Sequence, residues 1–120
     1  MLKLQVFEKA YALSIDIHRR SLEFPDFEQR ELACQLRRAS KSICANLIEG
    51  FGKNASAKEK RRYVVIAVGS CDETKLWLNY PKDLHYLDKR MYRHFKSGFE
   101  EVGKMLYGLR ISLEAEINKS

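Results

Sequence analysis

Apolar positions recur every three or four residues along almost the whole chain, with polar residues between them. That is the period of a helix with one buried face. In the first stretch Val6, Ala10, Leu13 and Ile17 form one stripe, and Leu4, Phe7, Tyr11 and Ser14 form its neighbour. Pro25 ends this helix, because the residue before a proline is pushed out of the helical region. A second helix is expected from about Glu28 to Phe51, its core face made by Leu32, Leu36, Ala39, Ile43 and Leu47. Gly50 and Gly52 bracket its end, where a left-handed cap residue is usually glycine. After the short linker Lys53-Asn54-Ala55-Ser56, Ser56 and Glu59 have the spacing of a capping box and mark a third helix. It is expected over Ala57 to about Tyr80. Tyr63, Ile66, Ser70, Glu73, Trp77 and Tyr80 share one face, and Val64, Ala67, Val68, Cys71 and Leu78 widen its apolar side. Pro81 either ends or kinks it, and Lys82 to Leu87 connects onward. The last helix has the clearest pattern: Tyr92, Phe95, Phe99, Val102, Leu106, Leu109 and Leu113 alternate by three and four, the seam of a left-handed bundle. Strand signals are essentially absent. Four long helices joined by short loops predict an all-α, up-down-up-down antiparallel four-helix bundle, a single domain over residues 1–120.

Composition changes this picture little and charge changes it more. The 120 residues are 45% hydrophobic, which argues against a disordered chain. Twenty-two Lys and Arg against sixteen Asp and Glu leave +6 at neutral pH, which favours polyanionic partners. Cys34, Cys44 and Cys71 are odd in number and have no Cys-x-x-Cys spacing, so they read as reduced thiols in or near the core. The start Met1-Leu2-Lys3-Leu4-Gln5 lacks the charged opening and apolar run of a signal peptide. No apolar window reaches the length of a membrane span. The expected compartment is the cytoplasm, with no membrane partner.

Candidate chemistry is sparse. His18, His85 and His94 stand far apart, without HExxH or paired Glu-x-x-His spacing, so no metal and no cofactor is expected. Ser40, Ser42 and Ser70 lie within helices and lack the sharp strand-to-helix turn that exposes a serine nucleophile. Gly50-Phe51-Gly52-Lys53 has a lysine but not the spacing of a phosphate-binding loop. These features argue against an enzyme. A polar line on the second and third helices, Gln35, Ser42, Asn46, Glu49, Ser70 and Glu73, reads as an inter-helix or inter-subunit hydrogen-bond network, since an unpaired buried polar group costs about 1–3 kcal/mol. The other reading of that line is a ligand site. For Glu49, a partner such as Lys9 or Arg38 is expected.

The positive charge is unevenly spread. From Glu28 to Tyr63 nine Lys and Arg face four Glu, a local excess of +5. Arg37, Arg38, Lys41, Lys53, Lys58, Lys60, Arg61 and Arg62 are the candidate phosphate contacts, and such contacts give salt-sensitive, sequence-independent affinity. Lys58, Lys60, Arg61 and Arg62 fall in the first turns of a helix, where the macrodipole disfavours cations. A solvated surface that merely keeps the protein soluble is the competing reading.

One stretch of the chain has a family look. Phe24-Pro25, then Gln35-Leu36-Arg37-Arg38-Ala39, Ser42-Ile43 and Ala45-Asn46-Leu47-Ile48-Glu49-Gly50, resembles the bacterial four helix bundle protein family, also called the 23S ribosomal RNA intervening-sequence proteins. Ala67-Val68-Gly69-Ser70 with Glu73, and Phe7-Glu8-Lys9-Ala10, match further pieces, so the resemblance covers most of the chain. Lys41, Cys44 and Leu47 depart from the family pattern, where a small or apolar residue, a proline and an isoleucine are usual. The resemblance implies a four-helix bundle that assembles as a ring-like homopentamer and has no assigned reaction. A related branch is the accessory variability determinant of diversity-generating retroelements, which implies nucleic-acid binding and an adaptor role beside a reverse transcriptase. The expectation is a non-enzymatic, homo-oligomeric nucleic-acid-binding or scaffolding protein, with an accessory adaptor, for example for a reverse transcriptase, as the alternative.

Overall fold

A computed structural model describes residues 2–52 and 54–119, with side chains from Leu4 onward. Four helices follow one another: α1 over Leu2–Ser21, α2 over Leu32–Phe51, α3 over Ala57–Asp83 and α4 over Lys89–Lys119. No described residue lies in a strand.

α2 starts four residues later than its apolar pattern suggests, because the preceding chain spends its hydrogen bonds differently. Asp26–Glu28 form a 3-10 turn, with Glu28 N–H donating to the Pro25 carbonyl and Gln29 N–H to that of Asp26. Glu31, at φ −109° and ψ −104°, then steps outside the helical region. The Gln29 side chain ties this corner together. Its amide donates to the carbonyls of Ser21 at 2.9 Å and Phe24 at 3.0 Å, and its oxygen accepts from the Arg37 guanidinium at 2.5 Å.

The other helix ends show clear causes. Ser56 caps α3 by accepting the Glu59 N–H at 3.2 Å, one half of a capping box. α3 does not stop at Pro81 but runs through it to Asp83. The proline ring is fully buried, and its carbonyl accepts from both Tyr86 N–H at 2.7 Å and Leu87 N–H at 3.1 Å. With His85 N–H donating to Lys82, this is a Schellman turn, and His85 takes its left-handed position at φ 66°. Asp88 caps α4 by accepting the Met91 N–H at 2.8 Å. Gly52, by contrast, is right-handed at φ −82°, so the end of α2 does not use a left-handed glycine.

Each helix packs on its neighbour in sequence, α1 closes the ring against α4, and among the described residues the diagonal helices do not approach. Pairs across each seam rise in number on one helix as they fall on the other. On α1 and α4 they are Lys9 with Glu101, Leu13 with Gly98 and Asp16 with His94. On α2 and α3 they are Ser42 with Ser70 and Gly50 with Tyr63, and on α3 and α4 they are Arg61 with Glu114 and Asn79 with Tyr92. Every adjacent pair is therefore antiparallel, which is the up-down-up-down four-helix bundle the apolar pattern predicts.

The faces meet in a core of Val6, Ile17, Leu36, Ile43, Val64, Leu78, Phe95, Phe99, Val102 and Leu106, all at most 1% exposed. Truncating either phenylalanine to alanine costs about 3–5 kcal/mol in such a setting. Two glycines let helices close in. A Cβ on Gly50 would stand 2.7 Å from Tyr63 Cβ, and one on Gly98 would stand 2.7 Å from a Leu13 methyl.

Candidate nucleic-acid interface

The structure places the candidate cations in two groups. Arg37, Arg38 and Lys41 lie on the first half of α2, and Lys58, Lys60, Arg61 and Arg62 lie on the opening turns of α3. Because α2 and α3 are antiparallel, with Gly50 against Tyr63, the α3 group stands beside the far end of α2. At 1.5 Å per residue, about 20 Å of helix separates it from Arg38. Lys53, expected between the two groups, lies outside the described residues.

Within each group the side chains differ in what already holds them. Arg37 is half-buried and donates to Gln29 and to the Ala33 carbonyl at 3.3 Å, so it belongs to the α1–α2 corner. Arg61 reaches across to α4 and pairs with Glu114 at 2.9 Å, with a second bond from Nε at 3.0 Å. Arg61 foremost holds the Glu114 carboxyl below its ordinary range. Arg62 lies over the Tyr63 ring at 4.8 Å, and Lys60 over that of Phe51 at 5.7 Å. Lys41 is exposed, with its ammonium 3.0 Å from His18 Nδ1. That charge first, then burial and Arg37, lowers the His18 pKa. Arg38, Lys41 and Lys58 are exposed and, among the described residues, have no carboxylate within ion-pair distance.

The polar line forms a smaller network than its sequence suggests. The Ser42 and Ser70 hydroxyls bond at 2.8 Å between α2 and α3, and Asn46 donates to the Ser42 carbonyl at 2.8 Å and to its hydroxyl at 3.1 Å. Glu73 stays on its own helix, accepting from the Trp77 indole at 3.1 Å. Gln35 is half-buried, and Glu49 is exposed near the end of α2. Lys9, offered as a partner for Glu49, instead pairs with Glu101 on α4 at 3.2 Å. Gln35, Arg38, Lys41, Ser42, Ser70 and Glu73 line an open groove of about 430 Å³ between α2 and α3. Among the described residues, no buried side-chain polar atom lacks a partner. The groove therefore holds no buried, unpaired polar group, and the positive charges it offers are the exposed Arg38 and Lys41.

Other candidates are structural in their setting. Burial pushes the Cys44 and Cys71 thiols up to about 11, well away from a reactive thiolate. His94 faces Asp16, and His85 sits in the turn after α3. Among the described residues no three His, Cys, Asp or Glu side chains converge as metal ligands, and no helix is long and apolar enough to cross a membrane.

Sequence periodicity missed an outward seam. Ile66, Leu76 and Tyr80 on α3 are 43%, 51% and 48% exposed, and Ile48 on α2 is 58% exposed. Gly69 lies within the α3 stripe, and a Cβ there would meet nothing within 4 Å. The signal was present in the helical spacing of Ile66, Gly69, Leu76 and Tyr80, although the charged Arg62 and Glu73 share that side of α3. A second set of apolar positions beside a core stripe reads simply as a wide core face until the neighbouring helices are in place.

The chain resembles known proteins in sequence family and in shape. No curated protein matches it. Among solved structures it is similar to a protein of unknown function from the S23 ribosomal protein family of Bacteroides thetaiotaomicron. The TM-score is 0.82 and the identity 22%, with 92% of this chain and 98% of that one covered, a likeness that shows the fold. The model of the 23S rRNA-intervening sequence proteins matches residues 2–108. With nearly its whole length matched, the chain belongs to the 23S rRNA-intervening sequence protein family.

Proposed function

We propose that this protein is a non-enzymatic, homo-oligomeric nucleic-acid-binding protein that uses α2, the α2–α3 loop and the start of α3 to contact phosphates. The observation that carries the reading is the set of exposed cations without carboxylate partners, Arg38, Lys41 and Lys58, on a chain of net charge +6. The family's name, drawn from sequences within ribosomal RNA genes, agrees with it. Self-assembly is supported by Ile66, Leu76 and Tyr80, exposed apolar side chains that helical spacing puts on one side of α3, since grouped apolar exposure marks interaction surfaces. Five copies are the expected assembly.

The test is mobility shift on structured RNA and duplex DNA at low and raised salt, with mass measured by light scattering. Salt-sensitive binding by an oligomer is expected, weakened in Arg38→Glu/Lys41→Glu/Lys58→Glu. Arg61 is a poor choice for charge reversal, because a glutamate there would face Glu114. Absence of binding at low salt would overturn the nucleic-acid reading. A monomer would overturn self-assembly and turn attention to a different protein on the seam, such as a reverse transcriptase.

A further inference from the structure

We infer that the first turns of α4, together with the end of α3, form a second polyanion-binding patch, suited to the sugar–phosphate backbone of a nucleic-acid duplex. The inference rests on the reading that the protein binds nucleic acid, but it concerns residues outside the surface already described.

From Lys89 to Phe99 the chain carries Lys89, Arg90, Arg93 and Lys96 and no acidic residue. Helical spacing puts Lys89, Tyr92, Arg93 and Lys96 on one face, turned toward α3. Tyr92 fixes that orientation, its hydroxyl donating to Asn79 on α3 at 2.8 Å. Two ammonium groups gather over its ring, Lys82 from α3 at 4.5 Å and Lys96 at 5.9 Å. Arg93 Nε donates to the Lys89 carbonyl at 3.3 Å, which leaves its terminal nitrogens pointing elsewhere.

Of this group the acids nearby reach Lys82 and leave the α4 cations unpaired. Asp83 pairs with Lys82 alone at 3.6 Å, and Asp88 spends an oxygen capping the Met91 N–H. Among the described residues Lys89, Arg90, Arg93 and Lys96 have no carboxylate within ion-pair distance, whereas Arg61 in the other surface does. The placement also runs against helix stability. The first turn of α4 has no acidic residue and has Lys89 and Arg90 at its positive end, where cations are unfavourable by roughly 0.3–1 kcal/mol.

Charge complementarity selects a polyphosphate, and the ring selects how it is read. With cations over it and its hydroxyl engaged, Tyr92 serves as a platform for ammonium groups rather than for bases. The patch therefore contacts backbone without reading sequence.

The experiment compares wild type, Lys89→Gln/Arg93→Gln/Lys96→Gln and Arg38→Gln/Lys41→Gln/Lys58→Gln for binding to a short RNA duplex and to DNA of the same sequence across a salt series. All six positions are exposed. The α4 triple variant is expected to lose at least about tenfold in affinity at low salt, and its log–log salt slope should flatten by about 2 to 3. Its melting temperature should stay equal or rise, since the removed charges oppose the helix dipole. If wild type binds and this variant binds as tightly with the same slope, the α4 patch is refuted while the broader reading stands. If wild type binds neither duplex, both fall. If the variant instead loses only binding to phosphatidylserine vesicles, the patch is a membrane contact and the inference is wrong.

Discussion

His85 is the residue from which the end of α3 demands most. The Schellman turn needs a left-handed backbone there, and His85 supplies it at φ 66°, the one such non-glycine residue among those described. The conformation costs a residue with a Cβ roughly 1–2 kcal/mol. The imidazole is exposed, so little is lost by removing it. Replacing His85 with glycine relieves the backbone cost but loosens the unfolded chain, which returns about 0.4–1 kcal/mol. The net expectation is stabilisation by about 0.5–1 kcal/mol, or a rise in melting temperature of about 2–5 °C for a domain of this size. Thermal unfolding followed by circular dichroism measures the shift, and urea titration should move the midpoint without changing the slope. His85→Ala keeps a Cβ and should melt close to wild type. A lower melting temperature for His85→Gly, or an equal gain for His85→Ala, would refute the reasoning.

Four further outcomes follow from the packing and the charges. Gly50→Ala should destabilise by about 1–2 kcal/mol because its methyl meets Tyr63 Cβ. Gly69→Ala, with open space around it, should stabilise α3 by about 1 kcal/mol, both read by thermal unfolding. Cys44 and Cys71 should resist iodoacetamide at neutral pH until the protein is unfolded. Because burial raises both thiols from 9.0 to about 11, folding favours their neutral forms, so their contribution to stability should be lost as pH rises from 9 to 11. Lys41→Ala should raise the His18 pKa, visible by proton NMR, because the Lys41 charge is the main cause lowering it. In wild type that lowered value favours neutral His18, so its contribution should fade as pH drops below the ordinary histidine range.

The helices were legible in the sequence wherever periodicity and punctuation agreed. Leu36, Ile43 and Leu47, or Phe95, Phe99, Val102 and Leu106, repeat at helical spacing and are buried as expected. Errors gathered at the ends, where local hydrogen bonds compete with pattern. Gln29 diverts the chain before α2, and α3 continues through the buried Pro81, a residue that reads as either a stop or a kink. The cations were harder to read because charge is visible in sequence and its neutralisation is not. Nothing near Arg61 in sequence announces Glu114, which arrives from another helix. The same blindness hid the turns from Lys89 to Lys96, whose importance lies in the carboxylates that fail to reach them.

The Ser42–Ser70 bond has a consequence for how the halves of the bundle find each other. Apolar faces tolerate sliding, since a leucine packs against many neighbours. A hydroxyl pair bonds only within a few tenths of an ångström of its best separation. Slipping α3 by one turn along α2 would move these groups about 5.4 Å apart. The pair therefore works as a detent in a greasy track. With only a short turn between α2 and α3, this hairpin can settle into its alignment early, leaving α1 and α4 a template on which to close.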